Sequence, residues 1–436
     1  MFCNQCEQSA HGTGCVDQGI CGKDADMQSL QEILLYGVKG MCAYAHHARR
    51  LGAVDEEVDA FVEEALFATV TNVNFDIDSL FELVLECGRK NLRVMEMLND
   101  AHVERFGAPS PTPVFEGTKA GPGILVTGHD LLDLEDLLEQ TAGTGIHVYT
   151  HGEMLPAHMY PELRKHEHLA GHFGGAWQLQ KTEFAKFTGP VLATTNCVLI
   201  PKDTYKDRLF TTRATAVPGG VRLAGNDFSQ VIECAKRCEP LTENKTGEST
   251  IGFHHSVLLG LADKIIPAVK NGSLKHFFLI GGCDGAERGR NYFSTFAENT
   301  PADSLVLTLG CGKYRIRDND YGTIELEGVG PVPRLLDMGQ CNDAYGAIRV
   351  AVALAEAFEC GVNDLPLTIV LSWFEQKAVA VLLTLLALDV KGIRIGPAPP
   401  AFVSPNVFKI LQDKYDLKLT SNKDPLADLR TSLQAA

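Results

Sequence analysis

Four cysteines stand close together in "MFCNQCEQSAHGTGCVDQGICGKD": Cys3, Cys6, Cys15 and Cys21, at spacing C-x2-C-x8-C-x5-C. The stretch has no apolar periodicity that would fold it alone. Its thiols are held by each other or by something they bind. Disulfide staples belong to oxidising compartments. In a reducing one, a chain with thirteen cysteines uses them for metal binding or reaction more often than for cross-links. Zinc knuckles and ribbons pair two C-x2-C units, and this loop has one. A compact, uneven loop of four thiolates fits an Fe–S cluster better than zinc.

Seven further candidates each end an apolar run. His129 follows "ILVTG", Glu153 follows "HVYTHG" and Cys197 follows "VLATTN". Cys283 follows "FFLIGG", Cys311 follows "LVLTLG", Cys341 follows "LLDMGQ" and Glu375 follows "TIVLSWF". A lone cysteine in such a place is usually a small buried hydrophobe. Seven soft or ionisable groups in one position class weigh differently, because open α/β sheets bind ligands beyond the carboxyl ends of their strands. Thiolates favour zinc or iron–sulfur, whereas imidazole and carboxylate suit catalytic iron. The mixed set points to a cluster bridged partly by sulfur and partly by oxygen. Nothing in the spacing says that the seven meet.

The elements that must position these groups fall into three parts. Residues 28–105 read as three helices. "MQSLQEILLYGVKGMCAYAHHARRLG" sets Leu30, Ile33, Leu34, Val38, Met41 and Ala45 near one face, and Asp76 or Asp78 starts the third helix. "FGAPSPTPVFEGTKAGPG" is rich in Pro and Gly and reads as a linker. Beyond it, short β-branched runs alternate with helical stretches, the pattern of parallel sheets with crossover helices. The expected class is multidomain α and α/β: a three-helix bundle with an Fe–S loop, then two Rossmann-like parallel-sheet domains. The expected boundaries are 1–112, 113–250 and 251–436, with "TENKTGEST" as the second divide.

The 436 residues carry 39 Lys and Arg against 55 Asp and Glu, a net charge of −16. That balance argues against nucleic acid and anionic membrane as partners. The longest apolar stretch, Ala378 to Leu388, is far shorter than the roughly 20 residues that span a bilayer, and no signal peptide is visible. A cytoplasmic protein is expected. Neither G-x-G-x-x-G nor G-x-x-x-x-G-K-[ST] occurs, so electrons must come from an external donor.

The chain resembles the hybrid-cluster (prismane) proteins over nearly its whole length. The opening cysteine loop resembles their N-terminal motif in its 4Fe–4S spacing. "GHDLLDLEDLLEQT", "YTHGEMLPAH", "HLAGHFGGAWQ", "TTNCVLIP", "IGGCDGAERGR", "LGCGKYR", "GQCNDAYGA" and "SWFEQKAVAVLL" resemble their later motifs in the same order. The resemblance implies one 4Fe–4S cluster on Cys3, Cys6, Cys15 and Cys21. It also implies one hybrid 4Fe–2O–2S cluster on His129, Glu153, Cys197, Cys283, Cys311, Cys341 and Glu375, with Cys283 as a persulfide. Lys377 matches a lysine beside that cluster. Glu375, Lys377, Glu153 and Cys283 are the implied catalytic groups, with Lys377 a proton donor or anchor if burial lowers its pKa. Only one three-helix bundle fits before the α/β part, as in the short class lacking a second bundle.

The implied activity is reduction of hydroxylamine to ammonia and water, of nitric oxide to nitrous oxide, or of both. A ferredoxin or a flavin or Fe–S reductase would supply electrons, and a homo-oligomer is compatible with the sequence. Two other readings compete. One is a nitric oxide or redox sensor, or a factor that passes nitrosyl groups to protein thiols. The other is a carbon monoxide dehydrogenase-like enzyme, against which the Glu ligands count. Cys42 and Cys87 read as helix packing and Cys360 as inert. Cys234 and Cys238, one helical turn apart, have no partner nearby that would make them a metal pair, and His166 and His168 read as a polar loop near the site.

Overall fold

The computed structural model describes residues 1–421 and 423–435. Three aspartates start the three long helices. Asp24 caps α1 (Ala25–Arg50), Asp55 caps α2 (Glu56–Ala68) and Asp76 caps α3 (Ile77–Phe106), each accepting from first-turn N–H groups. Asp76 rather than Asp78 is therefore the cap of α3. The buried stripe of α1 runs through Leu30, Ile33, Leu34, Val38 and Met41 as expected, then continues through Tyr44 and Ala48. Ala45 sits only half-buried.

The segment read as a linker contains a strand. β1 (Thr112–Thr118) is followed by β2 (Gly123–Thr127), β3 (His147–His151), β4 (Leu169–His172), β5 (Val191–Ala193), β6 (Leu209–Thr211), β7 (Val221–Arg222) and β8 (Asn244–Ile251). They form one sheet in the order β7-β6-β5-β2-β3-β4-β1-β8, parallel except for the edge strand β8. β8 is the segment read as the divide between the α/β parts. Both strands escaped the sequence reading because they pair chiefly with each other, from Thr112 opposite Ile251 to Thr118 opposite Asn244. β8 is mostly exposed and polar, so it carries no alternation of its own.

A second, wholly parallel sheet follows. It holds β9 (His276–Gly282), β10 (Ser304–Thr308), β13 (Leu335–Asp337), β14 (Leu367–Ser372), β15 (Arg394–Gly396) and β16 (Lys418–Leu419), in the order β13-β10-β9-β14-β15-β16. A hairpin of β11 (Thr323–Leu326) and β12 (Gly330–Pro333) stands apart. The result is the mixed α and α/β architecture expected.

The helix Gln376–Ala387 after β14 is clamped against the bundle. A Cβ at Gly40 would lie 2.3 Å from the Gln376 carbonyl oxygen, and one at Gly88 would lie 2.1 Å from that of Leu383. Only glycine admits so close a backbone approach. The seam carries buried hydrogen bonds: Asn91 donates to Thr384 Oγ1 at 2.9 Å, and Thr384 donates to the Gly88 carbonyl at 3.0 Å. On the other side, Arg50 of α1 pairs with Asp130, and with Asp133 at 2.9 Å, fixing the bundle to the first sheet. No helix among the described residues is long and apolar enough to cross a membrane.

Four histidines in these cores are held neutral. Burial lowers His102 and His254 to about 3, and His158 and His276 to about 4. A depressed folded pKa gives stability that is present above the unfolded value near 6.5 and is lost as pH falls toward the folded value. Between pH 7 and pH 5, each buried histidine is expected to remove about 1–2 kcal/mol. Urea midpoints across that range test this. His276→Gln, which keeps a polar group near Thr368 Oγ1, should flatten the slope, and an unchanged slope contradicts it.

Candidate metal centre between two facing sheet ends

The seven strand-end groups come from two runs of adjacent strands. Cys197, His129 and Glu153 follow β5, β2 and β3, which are neighbours in the first sheet. Cys341, Cys311, Cys283 and Glu375 follow β13, β10, β9 and β14, which are neighbours in the second. The carboxyl ends of the two sheets face each other. Gln340 donates to the Glu153 carbonyl at 2.7 Å and to the His129 carbonyl at 3.2 Å. The Cys341 N–H donates to Glu153 Oε2 at 3.0 Å. Trp177 reaches across to donate to the Asp284 carbonyl at 2.9 Å and stacks on Phe374 with ring centroids 4.0 Å apart.

Within this space, ligand atoms of His129, Glu153 and Cys341 lie within 4.8 Å of one another. His129 is oriented by Thr195, whose Oγ1 accepts from the His129 backbone N–H at 2.9 Å and lies 2.8 Å from Nδ1. That leaves Nε2 facing inward, 3.8 Å from Glu153 Oε2 and 2.8 Å from Lys377 Nζ. Lys377 also lies 3.9 Å from Glu375 Oε1. Cys197 has φ +67, a left-handed backbone rare for a side chain of its type, so its loop holds strain at the site.

The electrostatics fit a site that holds a bound cation. Burial pushes Cys283 up to about 12 and Cys341 to about 11, and raises Cys197 and Cys311 well above the thiol range. Burial raises Glu153 and, with Lys377, drives His129 well below its usual value. Glu153 Oε1 is buried with no hydrogen-bond partner. An orphaned carboxylate oxygen beside four thiols that cannot ionise alone fits a metal group, which deprotonates coordinating thiols outright. The donor set of thiolate, imidazole and carboxylate fits iron and sulfur.

Lys377 departs from the sequence reading. Burial works against its charge, but Cys341, Glu375, Cys197 and Glu153 outweigh burial and raise it above the ordinary lysine range.

In the N-terminal loop, Cys3 and Cys15 are bridged by backbone hydrogen bonds of 3.0 and 2.7 Å, and both are buried. Cys6 is half-buried and Cys21 exposed. Backbone N–H groups of Ala10 and Ile20 lower Cys15, favouring its thiolate. His166 and His168 lie elsewhere. They precede β4 at its amino end, where His168 bonds Thr141, so the placement near the site is corrected.

The sequence reading missed Tyr44, Gln340, Trp177 and Thr195. Tyr44 comes from α1, and its buried hydroxyl has no partner of good geometry. Its neighbours are Cys341, Glu375 and Cys283, whose charges join burial in raising the phenol. A tyrosine inside an apolar helical stripe, with nothing local to satisfy its hydroxyl, was the available signal. An apolar cavity of about 200 Å³ also borders the site. Its lining includes Cys283, Cys341 and the exposed Val352 and Leu388.

Comparison with known proteins agrees with this architecture. The Prismane/CO dehydrogenase family matches residues 1–82 and 76–429. A hydroxylamine reductase of Moorella thermoacetica is 60% identical, covering 98% of this chain and 100% of that one. A hydroxylamine reductase of Geobacter metallireducens is 43% identical over a 552-residue alignment that covers 99% of each chain. The solved carbon monoxide dehydrogenase IV of Carboxydothermus hydrogenoformans has TM-score 0.77 at 15% identity, covering 100% of this chain and 92% of that one, and shares the fold. The chain belongs to the Prismane/CO dehydrogenase family.

Proposed function

We propose that this protein is an iron–sulfur hydroxylamine reductase, converting hydroxylamine, two electrons and two protons to ammonia and water. The observation that carries the reading is the meeting of thiol, imidazole and carboxylate groups from two runs of adjacent strands, in a chain whose full-length relatives bear that name. His129, Glu153, Cys197, Cys283, Cys311, Cys341 and Glu375 would hold a hybrid 4Fe–2O–2S cluster, with Cys283 as its persulfide. Cys3, Cys6, Cys15 and Cys21 would hold a 4Fe–4S relay cluster. When bound, the hybrid cluster would supply the electrons that reduce a small N–O compound.

The chain's own residues do the rest. Glu375 is the more open of the two carboxylates, its side chain 15% exposed against 4% for Glu153, so it meets substrate and protons first. Lys377 holds positive charge where the N–O bond gathers electrons, and an N–H of its ammonium not taken by His129 Nε2, 2.8 Å away, donates toward that oxygen. Thr195 fixes the His129 ring, and Gln340 ties the two loops that bear His129 and Glu153. The division at 112 and 250 is kept as part of the proposal, with β8 closing the middle domain.

A small-molecule substrate and an electron donor follow from the activity. A ferredoxin or a flavin or Fe–S reductase is the proposed donor, with the N-terminal loop as its point of entry. Reduction of nitric oxide to nitrous oxide is a second reading of the same site. It is favoured by the apolar cavity beside Cys283 and Cys341, which admits an apolar diatomic more readily than hydroxylamine.

Anaerobic purification with iron and sulfide counting, EPR spectroscopy and assay of both substrates with a reduced viologen tests the reading. About eight irons per chain are expected from two four-iron clusters. Zinc in place of iron, or about four irons in total, sinks the two-cluster assignment. Nickel would favour the carbon monoxide dehydrogenase-like alternative. Partner-thiol labelling without turnover would favour the sensor or nitrosyl-transfer alternative.

A further inference from the structure

Away from the metal centre, Cys234 and Cys238 place their Sγ atoms 3.8 Å apart. Cys234 lies in the last turn of the helix Ser229–Arg237. Cys238 is the residue that ends it, with φ −68 and ψ 156. The backbone of Cys238 is extended, and its N–H donates to the Cys234 carbonyl at 3.0 Å, which holds the two residues together. A disulfide needs the sulfurs to close to about 2.0 Å, an approach of roughly 1.8 Å. Both residues are half-buried and open to a small reagent. Cys87, by contrast, is wholly enclosed in the bundle.

The surroundings favour sulfur redox chemistry over metal. Among the described residues, the group of side chains placed to hold a metal ion does not include these two, and zinc takes four ligands. Arg208 is anchored by the carbonyls of Gly189 and, at 2.6 Å, Phe184, and its charge bears on both sulfurs. Burial and the neighbouring Cys238 raise Cys234, which suits Cys234 to the second, resolving step.

We propose that Cys234 and Cys238 are a redox-active dithiol that closes to an intramolecular disulfide by exchange with a small-molecule disulfide. The Cys238 thiolate attacks one sulfur of the acceptor, breaking its S–S bond and releasing one thiol. Cys234 then attacks the mixed disulfide and releases the second thiol. Two protein thiols are oxidised, the acceptor disulfide is reduced to two thiols, and the two protons pass to it. Leu241, three residues on, bridges Gly121 just ahead of β2. The pair therefore sits at the amino end of the first sheet, opposite the metal centre. Its closure leaves the ligand loops in place.

The test uses the full-length iron-loaded protein, held without oxygen in mixtures of reduced and oxidised glutathione. Acid quenching, alkylation with N-ethylmaleimide, digestion and mass spectrometry then map every cysteine. The expected result is a link between the Cys234 and Cys238 peptides, lighter by two hydrogens, rising from absent to complete across the series and reversed by dithiothreitol. Cys238→Ser and Cys234→Ser should each abolish the link and leave hydroxylamine turnover unchanged. Full alkylation of both cysteines in every mixture, or a link from either to a different cysteine, overturns the proposal. The wild-type map decides even if a variant fails to fold.

Discussion

Glu375→Gln lowers hydroxylamine turnover by at least about 100-fold and leaves the thermal midpoint within about 2 °C. The loss follows from charge. Glutamine keeps the shape of the side chain, yet it cannot bind as a hard anion beside thiolates or accept the proton that a carboxylate exchanges. The small effect on stability follows from the fold. Glu375 stands at the N-cap of the helix Gln376–Ala387 without a side-chain capping bond, so no cap is lost. Its ion pair with Lys377 is long, 3.9 Å. Turnover with a reduced viologen, iron content and a thermal melt on the same preparation separate the outcomes. Unchanged turnover removes Glu375 from the site, and a large fall in melting temperature would make its role structural.

Gly88→Ala destabilises the protein by about 3 kcal/mol and lowers turnover with it. On an ordinary helix surface, glycine to alanine gains up to about 1 kcal/mol, so the sign itself is diagnostic. Here the new Cβ meets the Leu383 carbonyl oxygen at 2.1 Å, its carbon at 2.5 Å and the Thr384 nitrogen at 2.9 Å. These are backbone atoms of a packed helix and cannot swing aside as a side chain would. The helix must shift, which breaks the bonds joining Asn91, Thr384 and the Gly88 carbonyl. Lys377 lies near the start of that helix, its Nζ 2.8 Å from His129, so the shift reaches the site. Urea unfolding measures the stability change. Gly260→Ala is the control: its Cβ meets nothing within 4 Å, and a change within about 0.5 kcal/mol is expected. Equal effects at the two positions would refute the clamped seam.

The stability of the core and the chemistry of the site thus meet in one helix. Gly40 and Gly88 let α1 and α3 approach its backbone, and the same approach brings Tyr44 of α1 against Cys341. The small bundle helps to build the candidate metal centre as well as extending the fold.

Much of this was legible in the residues alone. Apolar spacing and aspartate caps mark the three helices, because both signals are local. The strands that bear His129, Glu153, Cys197, Cys283, Cys311, Cys341 and Glu375 announce themselves as buried β-branched runs. β1 and β8 do not, since their pairing joins Thr112 to Ile251 and leaves no local pattern. Sequence set the chemical types of the site and the strand each one follows. It could not say that β5, β2 and β3 lie side by side, nor that β13, β10, β9 and β14 do. Strand order and the facing of two sheets are consequences of hydrogen bonding and burial between distant segments, and the raised Lys377 follows from the acidic groups those segments bring beside it. Only the tertiary structure decided them, because a ladder and an electric field are shared by residues that the chain itself keeps apart.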